Sequence, residues 1–234
     1  MSPSDRPARP GGTAPHVVVA DVDAPVLGSD ERHHLERVRR LHDGDPVSVT
    51  DGEGAWRWCR FGAELRPDGP VEHDPRPSPE LTVAFALVKG GRPELVVQKL
   101  TELGVDRIVP FVAERSVVRW EGSRAERNVE RLRRVATEAV AQSRRTWSPE
   151  VGALSTFEEV AALPGAAGAD LGGAPPSLDR PVLLIGPEGG WSPTERAALP
   201  ATVGLAATVL RAETAAITGG AVLGALRSGV VEPR

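Results

Sequence analysis

The 234-residue sequence is poor in the residues that build disulfides and metal centres. Cys59 is its only cysteine, which excludes a disulfide within the chain and argues against a cysteine-based metal site. The five histidines include no i, i+4 pair of the kind found in helical zinc motifs. We therefore expect no metal site, and a reducing cytoplasm is the expected compartment.

Long apolar runs are missing as well. No stretch reaches the length that spans a membrane, and the N-terminus, rich in Pro, Arg and Gly, lacks the apolar segment of a secretory signal. We expect residues 1–14 to form a flexible tail. Hydrophobic residues make up 40% of the chain, enough for a core, and the length predicts one large or two small domains.

Two common nucleotide-binding signatures, Gly-x-x-x-x-Gly-Lys-Ser/Thr and Gly-x-Gly-x-x-Gly, are absent. In their place an apolar strand at 183–185 leads into a glycine-rich loop at 186–190. Ser192 and Glu195 then form a Ser-x-x-Glu capping box around Pro193. Because glycines admit a ligand close to the main chain and a helix N-terminus favours anions, the segment predicts a small-molecule pocket. The alternative is an ordinary tight strand–helix turn.

A second segment follows about twenty residues downstream. Val209 and Leu210 are predicted to form a short strand that ends in Arg211, Glu213 and Thr214, and a helix of small residues follows. Together the sequences Gly-Pro-Glu-Gly-Gly and Leu-Arg-Ala-Glu-Thr-Ala resemble the knotted SPOUT methyltransferases. Within that group they resemble the family that methylates N3 of a uridine in small-subunit ribosomal RNA.

The resemblance extends along nearly the whole chain. Residues 98–105 match the family's Gln-Lys-x-x-Glu-Leu-Gly-Val segment. Residues 138–149 match its Glu-Ala-x-x-Gln-Ser-x-Arg-x-x-x-Pro helix end, and residues 33–45 resemble its small RNA-binding barrel. Several motifs in the same order make the resemblance specific.

This resemblance implies an α/β fold, with a C-terminal trefoil-knotted SPOUT domain around a parallel sheet and a small N-terminal PUA-like β-barrel. The domains are expected at 15–72 and 81–234, with a linker at 73–80. S-adenosylmethionine is the implied cofactor, 16S ribosomal RNA within the small subunit the implied substrate, and a homodimer the implied assembly. The implied cofactor-binding residues are Leu184, Gly186, Gly189, Gly190, Leu205 and Leu210.

Periodicity in the C-terminal part predicts secondary structure without the resemblance. A strand at 81–88, a helix at 93–103 and a strand at 106–112 form a βαβ unit, which predicts parallel pairing. A capping box at Ser123 begins a long helix. Residues 163–180, rich in Gly, Ala and Pro, predict a surface loop of low order.

The N-terminal part predicts several short strands and little helix. Strands are expected at 17–22, 46–50 and 55–65, and a short helix at 29–41. Between the last two strands, Asp-Gly-Glu-Gly at 51–54 is a hairpin signal. This pattern is typical of a small barrel.

Methylation at uridine N3 requires removal of a proton, because N3 is protonated at neutral pH. Glu213 is the candidate base, and Arg211 is the candidate positive group beside the developing charge. The alternative is a local ion pair between the two residues that braces the loop. Glu188 is interpreted as structural.

The positive charge of the chain is concentrated in one region. The net charge of −4 argues weakly against nucleic acid, but residues 115–145 hold nine arginines and four glutamates. The family pattern and this charge predict an RNA surface; the alternative is a solvated, charge-laced helix. The predicted RNA-binding residues are His34, Arg37 and Arg40 in the barrel, and Arg127, Arg131, Arg134 and Arg145 on the long helix.

The sequence departs from the family pattern at three positions. Ala206 stands where the family prefers glycine, and its methyl group is expected to narrow the approach to the cofactor. Trp191 is larger than the usual residue after the glycine pair, and Arg144 replaces a small residue. Two alternatives stay open: another SPOUT methyltransferase acting on ribose 2′-oxygen or transfer RNA, and an RNA-binding ribosome-assembly protein without catalysis.

Overall fold

The computed structural model describes residue 10, residues 12–90 and residues 92–232, and the chain divides into two compact units. The first comprises Met1–Arg76 and Thr137–Ser148; the second comprises Pro77–Ala136 and Pro149–Arg234. The division after Arg76 falls within the segment predicted as a linker. Most of the predicted tail, residues 1–14, lies outside the described residues.

The first unit is built on a five-stranded sheet with the order β1-β2-β3-β4, in which β5 also pairs with β3. β1 runs parallel to β2, and the other pairs are antiparallel. The hairpin predicted at 51–54 joins β2 and β3 as expected. Closure of this sheet into a PUA-like barrel stays a prediction. The strands are β1 (His16–Val18), β2 (Pro46–Thr50), β3 (Ala55–Arg60), β4 (Arg66–Pro67) and β5 (Glu72–His73).

Alternation along these strands gives the sheet an apolar face and a more polar one. Val47, Val49 and Cys59 lie in the apolar core. Burial raises the pKa of the Cys59 thiol to about 11, so it is a packing residue and not a nucleophile. The buried residues of the polar face are His16, Ser48, Thr50, Trp56 and Trp58.

The polar face receives the segment that ends the long helix. Thr50 Oγ1 donates to the carbonyl of Thr146 at 3.2 Å, and the amide of Gly54 donates to the same carbonyl at 2.9 Å. His16 Nε2 lies 3.0 Å from the carbonyl oxygen of Arg145. These bonds explain why Thr137–Ser148 belongs to the first unit, although the sequence placed it in the domain 81–234.

His16 is held neutral by its surroundings. The Arg145 carbonyl oxygen can only accept a hydrogen bond, so the neighbouring Nε2 of His16 carries the proton. Nδ1 of His16 then accepts a hydrogen bond from Ser48 Oγ at 2.8 Å. Desolvation lowers the pKa of His16 from 6.5 to about 4, with the charge of Arg144 acting in the same direction. The imidazole is therefore uncharged at neutral pH.

Acidification is expected to destabilise the first unit through His16. Because the folded-state pKa is lowered, the unfolded chain binds the proton first, and stability falls as the pH drops from about 6.5 towards 4. Between about pH 7.5 and 5 the loss is about 2 kcal/mol. Urea unfolding of wild type and His16→Gln, followed by tryptophan fluorescence, checks this: the variant should lose less stability. Parallel losses in both proteins would contradict the assignment.

The second unit contains a seven-stranded sheet in which all pairs are parallel, as the βαβ pattern predicted. Its order is β12-β10-β11-β6-β7-β8, and β9 also pairs with β7. The strands are β6 (Thr82–Ala86), β7 (Arg107–Val112), β8 (Glu150–Val151), β9 (Ser155–Thr156), β10 (Ala166–Ala174), β11 (Val182–Ile185) and β12 (Thr202–Val203).

Separate apolar clusters line the two faces of this sheet, since Val83 and Phe85 of β6 belong to one and Ala84 and Ala86 to the other. α2 and α6 pack with the first cluster, and α4 with the second. None of the helices in the described ranges is long and apolar enough to cross a membrane. The helices of the chain are α1 (Ser29–His33), α2 (Arg92–Glu102), α3 (Gly122–Ser143), α4 (Phe157–Ala161), α5 (Pro193–Ala198) and α6 (Ala212–Arg227).

The small residues of α6 serve close packing within the chain, as predicted. A Cβ atom at Gly219 would lie 2.2 Å from Leu183 Cδ2 of β11, and one at Gly220 would lie 2.5 Å from Leu100 Cδ2 of α2. The helix end is fixed by Arg227, which ion-pairs with Asp106 and donates to the carbonyl of Pro79 at 3.1 Å. The trefoil knot stays a prediction.

Several secondary-structure predictions were wrong. The long helix α3 begins at Gly122, so Ser123 lies within the helix and does not cap it. Residues 166–174 form β10 and not a loop, because Ala166–Gly168 pairs in parallel with β11. The strand needs a small residue at Gly168, because the side chain of Leu199 packs directly against it. Val209 and Leu210 form no strand, and Val209 is 85% exposed. The helix predicted at 29–41 is α1 followed by a π-helical turn, His34–Val38.

Candidate active site

A pocket of about 210 Å³ opens at the carboxyl ends of β10 and β11, the usual place for a ligand in an open parallel sheet. One wall is the loop 186–190, and the opposite wall is the segment 205–210 that precedes α6. Asp170 and Arg196, which form an ion pair, line it from β10 and α5. The apolar lining residues include Ile185, Leu205, Val209 and Leu210.

The glycine-rich loop is held by the capping box predicted from the sequence. Ser192 Oγ accepts from the amide of Glu195 at 3.1 Å, and Glu195 Oε2 accepts from the amide of Ser192 at 2.9 Å. Glu195 is only 5% exposed, and its Oε1 accepts from the amide of Glu114 at 2.8 Å. The carboxylate thus joins the loop to the residues that follow β7.

Trp191 forms the base of the same loop. Its ring stacks on Phe111 at 6.3 Å between centroids and lies 5.7 Å from the ring of Phe157. Its Nε1 donates to the carbonyl of Ala169 at 3.0 Å. A Cβ atom at Gly186 would lie 3.0 Å from the indole, so the large Trp is accommodated because residue 186 is glycine.

Arg115 holds the loop through hydrogen bonds to two of its main-chain carbonyls. Its Nη1 donates to the carbonyls of Gly189 and Trp191, at 3.2 Å each. Gly190 has a φ of +70°, and no heavy atom lies within 4 Å of where its Cβ would stand. Gly190 lines the pocket, and a side chain at this position would be strained by the positive φ, with its Cβ in open space.

Three charged side chains meet beside the pocket. Arg92 Nη1 donates to Glu188 Oε1 at 3.3 Å, and Arg92 Nε lies 3.5 Å from Glu213 Oε1. Glu213 is 14% exposed, and its Oε2 is buried without a hydrogen-bond partner among the described residues. Glu213 therefore pairs with Arg92, and the alternative of a bracing ion pair with Arg211 has no support in the described part of the chain.

Comparison with known proteins identifies the family. A family model described as an RNA methyltransferase domain matches residues 75–224. Ribosomal RNA small subunit methyltransferase E of Mycobacterium bovis is 36% identical, and the match covers 87% of each chain. The chain belongs to the ribosomal RNA small subunit methyltransferase E family.

Solved structures agree with this family. A putative methyltransferase of Legionella pneumophila in complex with S-adenosylmethionine is 25% identical, with a TM-score of 0.79 over 91% of this chain and 97% of that one. The methyltransferase E structure of Neisseria gonorrhoeae, bound to S-adenosylmethionine, has a TM-score of 0.77 over 91% and 98% at 24% identity. The predicted α/β fold with a parallel sheet is confirmed.

The residues predicted to bind the cofactor have different surroundings. Gly186, Gly190, Leu205 and Leu210 line the pocket. Leu184 does not: it is fully buried in the core, and its neighbour in β11, Ile185, lines the pocket in its place. Gly189 also lies outside the lining. Its carbonyl oxygen instead accepts a hydrogen bond from Arg115.

The other predicted residues lie in both units. In the first unit His34, Arg37 and Arg40 are exposed, whereas Arg145 is half-buried and bonded through its backbone. In the second unit Arg127 bonds Ser123, and Arg131 Nε lies 3.1 Å from Glu94 Oε1, so Arg131 fits the charge-laced alternative. Arg134 and Arg211 are exposed. No cluster of metal-binding side chains occurs among residues 12–90 and 92–232.

Sequence reasoning missed Arg92, Arg115 and the Asp170–Arg196 pair. Each partner lies far along the chain: Arg92 is 96 residues from Glu188, and Arg115 is 74 from Gly189. No local pattern marks such contacts. The one available signal is position, because Arg92 and Arg115 follow the carboxyl ends of the adjacent strands β6 and β7.

Proposed function

We propose that this protein uses S-adenosylmethionine to methylate N3 of a specific uridine in 16S ribosomal RNA of the small subunit. Family membership supports an RNA methyltransferase, and two solved relatives hold S-adenosylmethionine. The observation that supports transfer to N3 is the buried Oε2 of Glu213, which accepts no hydrogen bond from the described residues. Uridine N3 carries the proton that such an acceptor takes.

The pocket fits the cofactor. Main-chain groups of the loop 186–190 and the apolar side chains Ile185, Leu205 and Leu210 suit an adenine ring and its ribose. Asp170, only 15% exposed and fixed by Arg196, offers carboxylate oxygens to hydroxyl groups. When bound there, S-adenosylmethionine supplies an electrophilic methyl group on a sulfonium that leaves as a neutral thioether.

Glu213 and Arg211 then act on the uracil, one by accepting a proton and the other by stabilising negative charge. Glu213 accepts the N3 proton through its unpartnered oxygen. Arg211 is exposed and lies in the chain between the pocket-lining residues Leu210 and Ala212, and its guanidinium is proposed to stabilise the negative charge that develops on the ring. Glu188 is anchored by Arg92 and keeps its structural interpretation.

Cofactor binding is the first test of this proposal. Calorimetry should detect S-adenosylmethionine binding by wild type, and Gly190→Val should weaken it about tenfold, because a β-branched residue at positive φ costs about 1–2 kcal/mol and the loop must shift. The matched control is Gly229→Val, also at φ +69° but outside the pocket lining. Absence of binding at millimolar cofactor would contradict the proposal.

The RNA surface is proposed in each unit separately. The first unit has three exposed basic side chains, those of His34, Arg37 and Arg40. In the second unit, α3 has the exposed guanidinium groups of Arg127 and Arg134. Phosphate contacts of this kind release counterions, so RNA affinity falls steeply with salt.

The assembly and compartment belong to the same proposal. A homodimer paired through a knotted domain follows from the family resemblance, and a cytoplasmic location follows from the single cysteine. Gly219 and Gly220 are already occupied by Leu183 and Leu100 of the same chain, so the interface must use other residues of α6 or neighbouring surfaces.

A further inference from the structure

Arg92 links the cofactor loop to the candidate base. It lies at the start of α2, and its guanidinium contacts Glu188 of the loop and Glu213 of α6, at 3.3 and 3.5 Å. A planar guanidinium presents several donors in a fixed fork, so one side chain orients two carboxylates. Lysine offers a point charge and lacks this geometry.

The two oxygens of Glu213 differ sharply. Oε1 faces Arg92, whereas Oε2 is buried and accepts no hydrogen bond from any described residue. Buried acceptors without a donor are rare in native proteins, and each requires an explanation. A ligand N–H group that enters the site is such an explanation, and the N3–H of a uracil has the required chemistry.

We propose that Arg92 is a positioning residue for methyl transfer: it holds Glu213 through Oε1 and leaves Oε2 free for the N3 proton. This inference rests on the proposed function. In the proton step the N3–H bond breaks, an O–H bond forms at Oε2, and the electron pair stays on N3. N3 then becomes the nucleophile that takes the methyl group.

The same contact ties the base to the pocket. Glu188 lines the pocket and shares Arg92 with Glu213. The charged side chains linked to Glu213 by the contacts described are Arg92 from α2 and, through Arg92, Glu188 from the loop after β11. Of these, Arg92 is the cation whose contact with Glu213 is direct.

The test compares Arg92→Gln and Arg92→Lys with wild type in single-turnover methyl transfer to saturating small subunits. Without the guanidinium, Glu213 Oε1 loses the partner that fixes the carboxylate, so Arg92→Gln should slow transfer at least about thirtyfold. Arg92→Lys should recover part of the rate. Cofactor affinity by calorimetry should change less than about threefold for Arg92→Lys.

Arg107→Gln is the matched control. Arg107 Nε also lies 3.5 Å from a glutamate Oε1, that of Glu150, and is similarly half-exposed, but it stands at the amino end of β7. Its substitution should leave the rate of methyl transfer unchanged. In a Glu213→Gln background, Arg92→Gln should slow methyl transfer little further, because both substitutions impair the same step, removal of the N3 proton.

Two outcomes separate the inference from the proposed function. If wild type transfers methyl groups and Arg92→Gln keeps the wild-type rate, this inference is overturned alone. The same holds if the losses from Arg92→Gln and Glu213→Gln multiply independently. If wild type transfers no methyl group to ribosomal RNA, the proposed function fails and takes this inference with it.

Discussion

Replacing Glu213 by Gln is expected to slow methyl transfer about a hundredfold or more while the fold stays intact. The substitution keeps the size of the side chain but removes the negative charge and the basic oxygen. Oε2 is the buried acceptor without a partner, so the proton of N3 loses its acceptor. Single-turnover transfer to small subunits measures the loss, with thermal unfolding and calorimetry as checks on fold and cofactor affinity.

Glu150→Gln is the matched control, because Glu150 pairs with an arginine Nε at the same 3.5 Å but lies on β8. It should transfer at the wild-type rate. Arg211→Lys extends the test: it keeps the charge, loses the planar fork, and should also slow transfer. If Glu213→Gln and Arg211→Lys both bind cofactor and methylate at near wild-type rate, their role is structural.

The largest stability effect is expected at Trp191. Its indole is 5% exposed and fills the space between Phe111, Phe157 and Gly186. Trp191→Ala removes these contacts and leaves a cavity, so the second unit should lose about 3–5 kcal/mol. The glycine loop should lose its support as well, and cofactor affinity should fall with it. Urea unfolding and calorimetry measure the two effects.

Trp191→Phe separates packing from hydrogen bonding. It keeps a ring against Phe111 but removes the Nε1 donor to Ala169, so it should cost about 1–3 kcal/mol. A loss below about 1 kcal/mol for Trp191→Ala would show that the loop does not depend on this side chain.

Local signals in the sequence predicted the parts of the site that depend on neighbours in the chain. The Ser192–Glu195 capping box was confirmed, and so were the parallel pairing and the close packing of α6. β10 was missed, because its Ala and Gly residues have low strand propensity and are selected by packing under Leu199.

The missing parts of the site depend on contacts between distant segments. Arg92 reaches a loop 96 residues away, and the Thr146 carbonyl accepts from Thr50, also 96 residues away. Periodicity and capping report on a few neighbouring residues and contain no information about such pairs. The buried oxygen of Glu213 is likewise visible only once α2, α6 and the loop are placed together.

The position of the transferred methyl group tests the central proposal most directly. Purified protein is incubated with isotope-labelled S-adenosylmethionine and small subunits from cells that lack this protein, and the digested 16S RNA is analysed by mass spectrometry of nucleosides. We predict labelled 3-methyluridine from a single site, lost with Glu213→Gln. Label on a ribose 2′-oxygen, or no transfer to 16S RNA at all, would contradict the proposal.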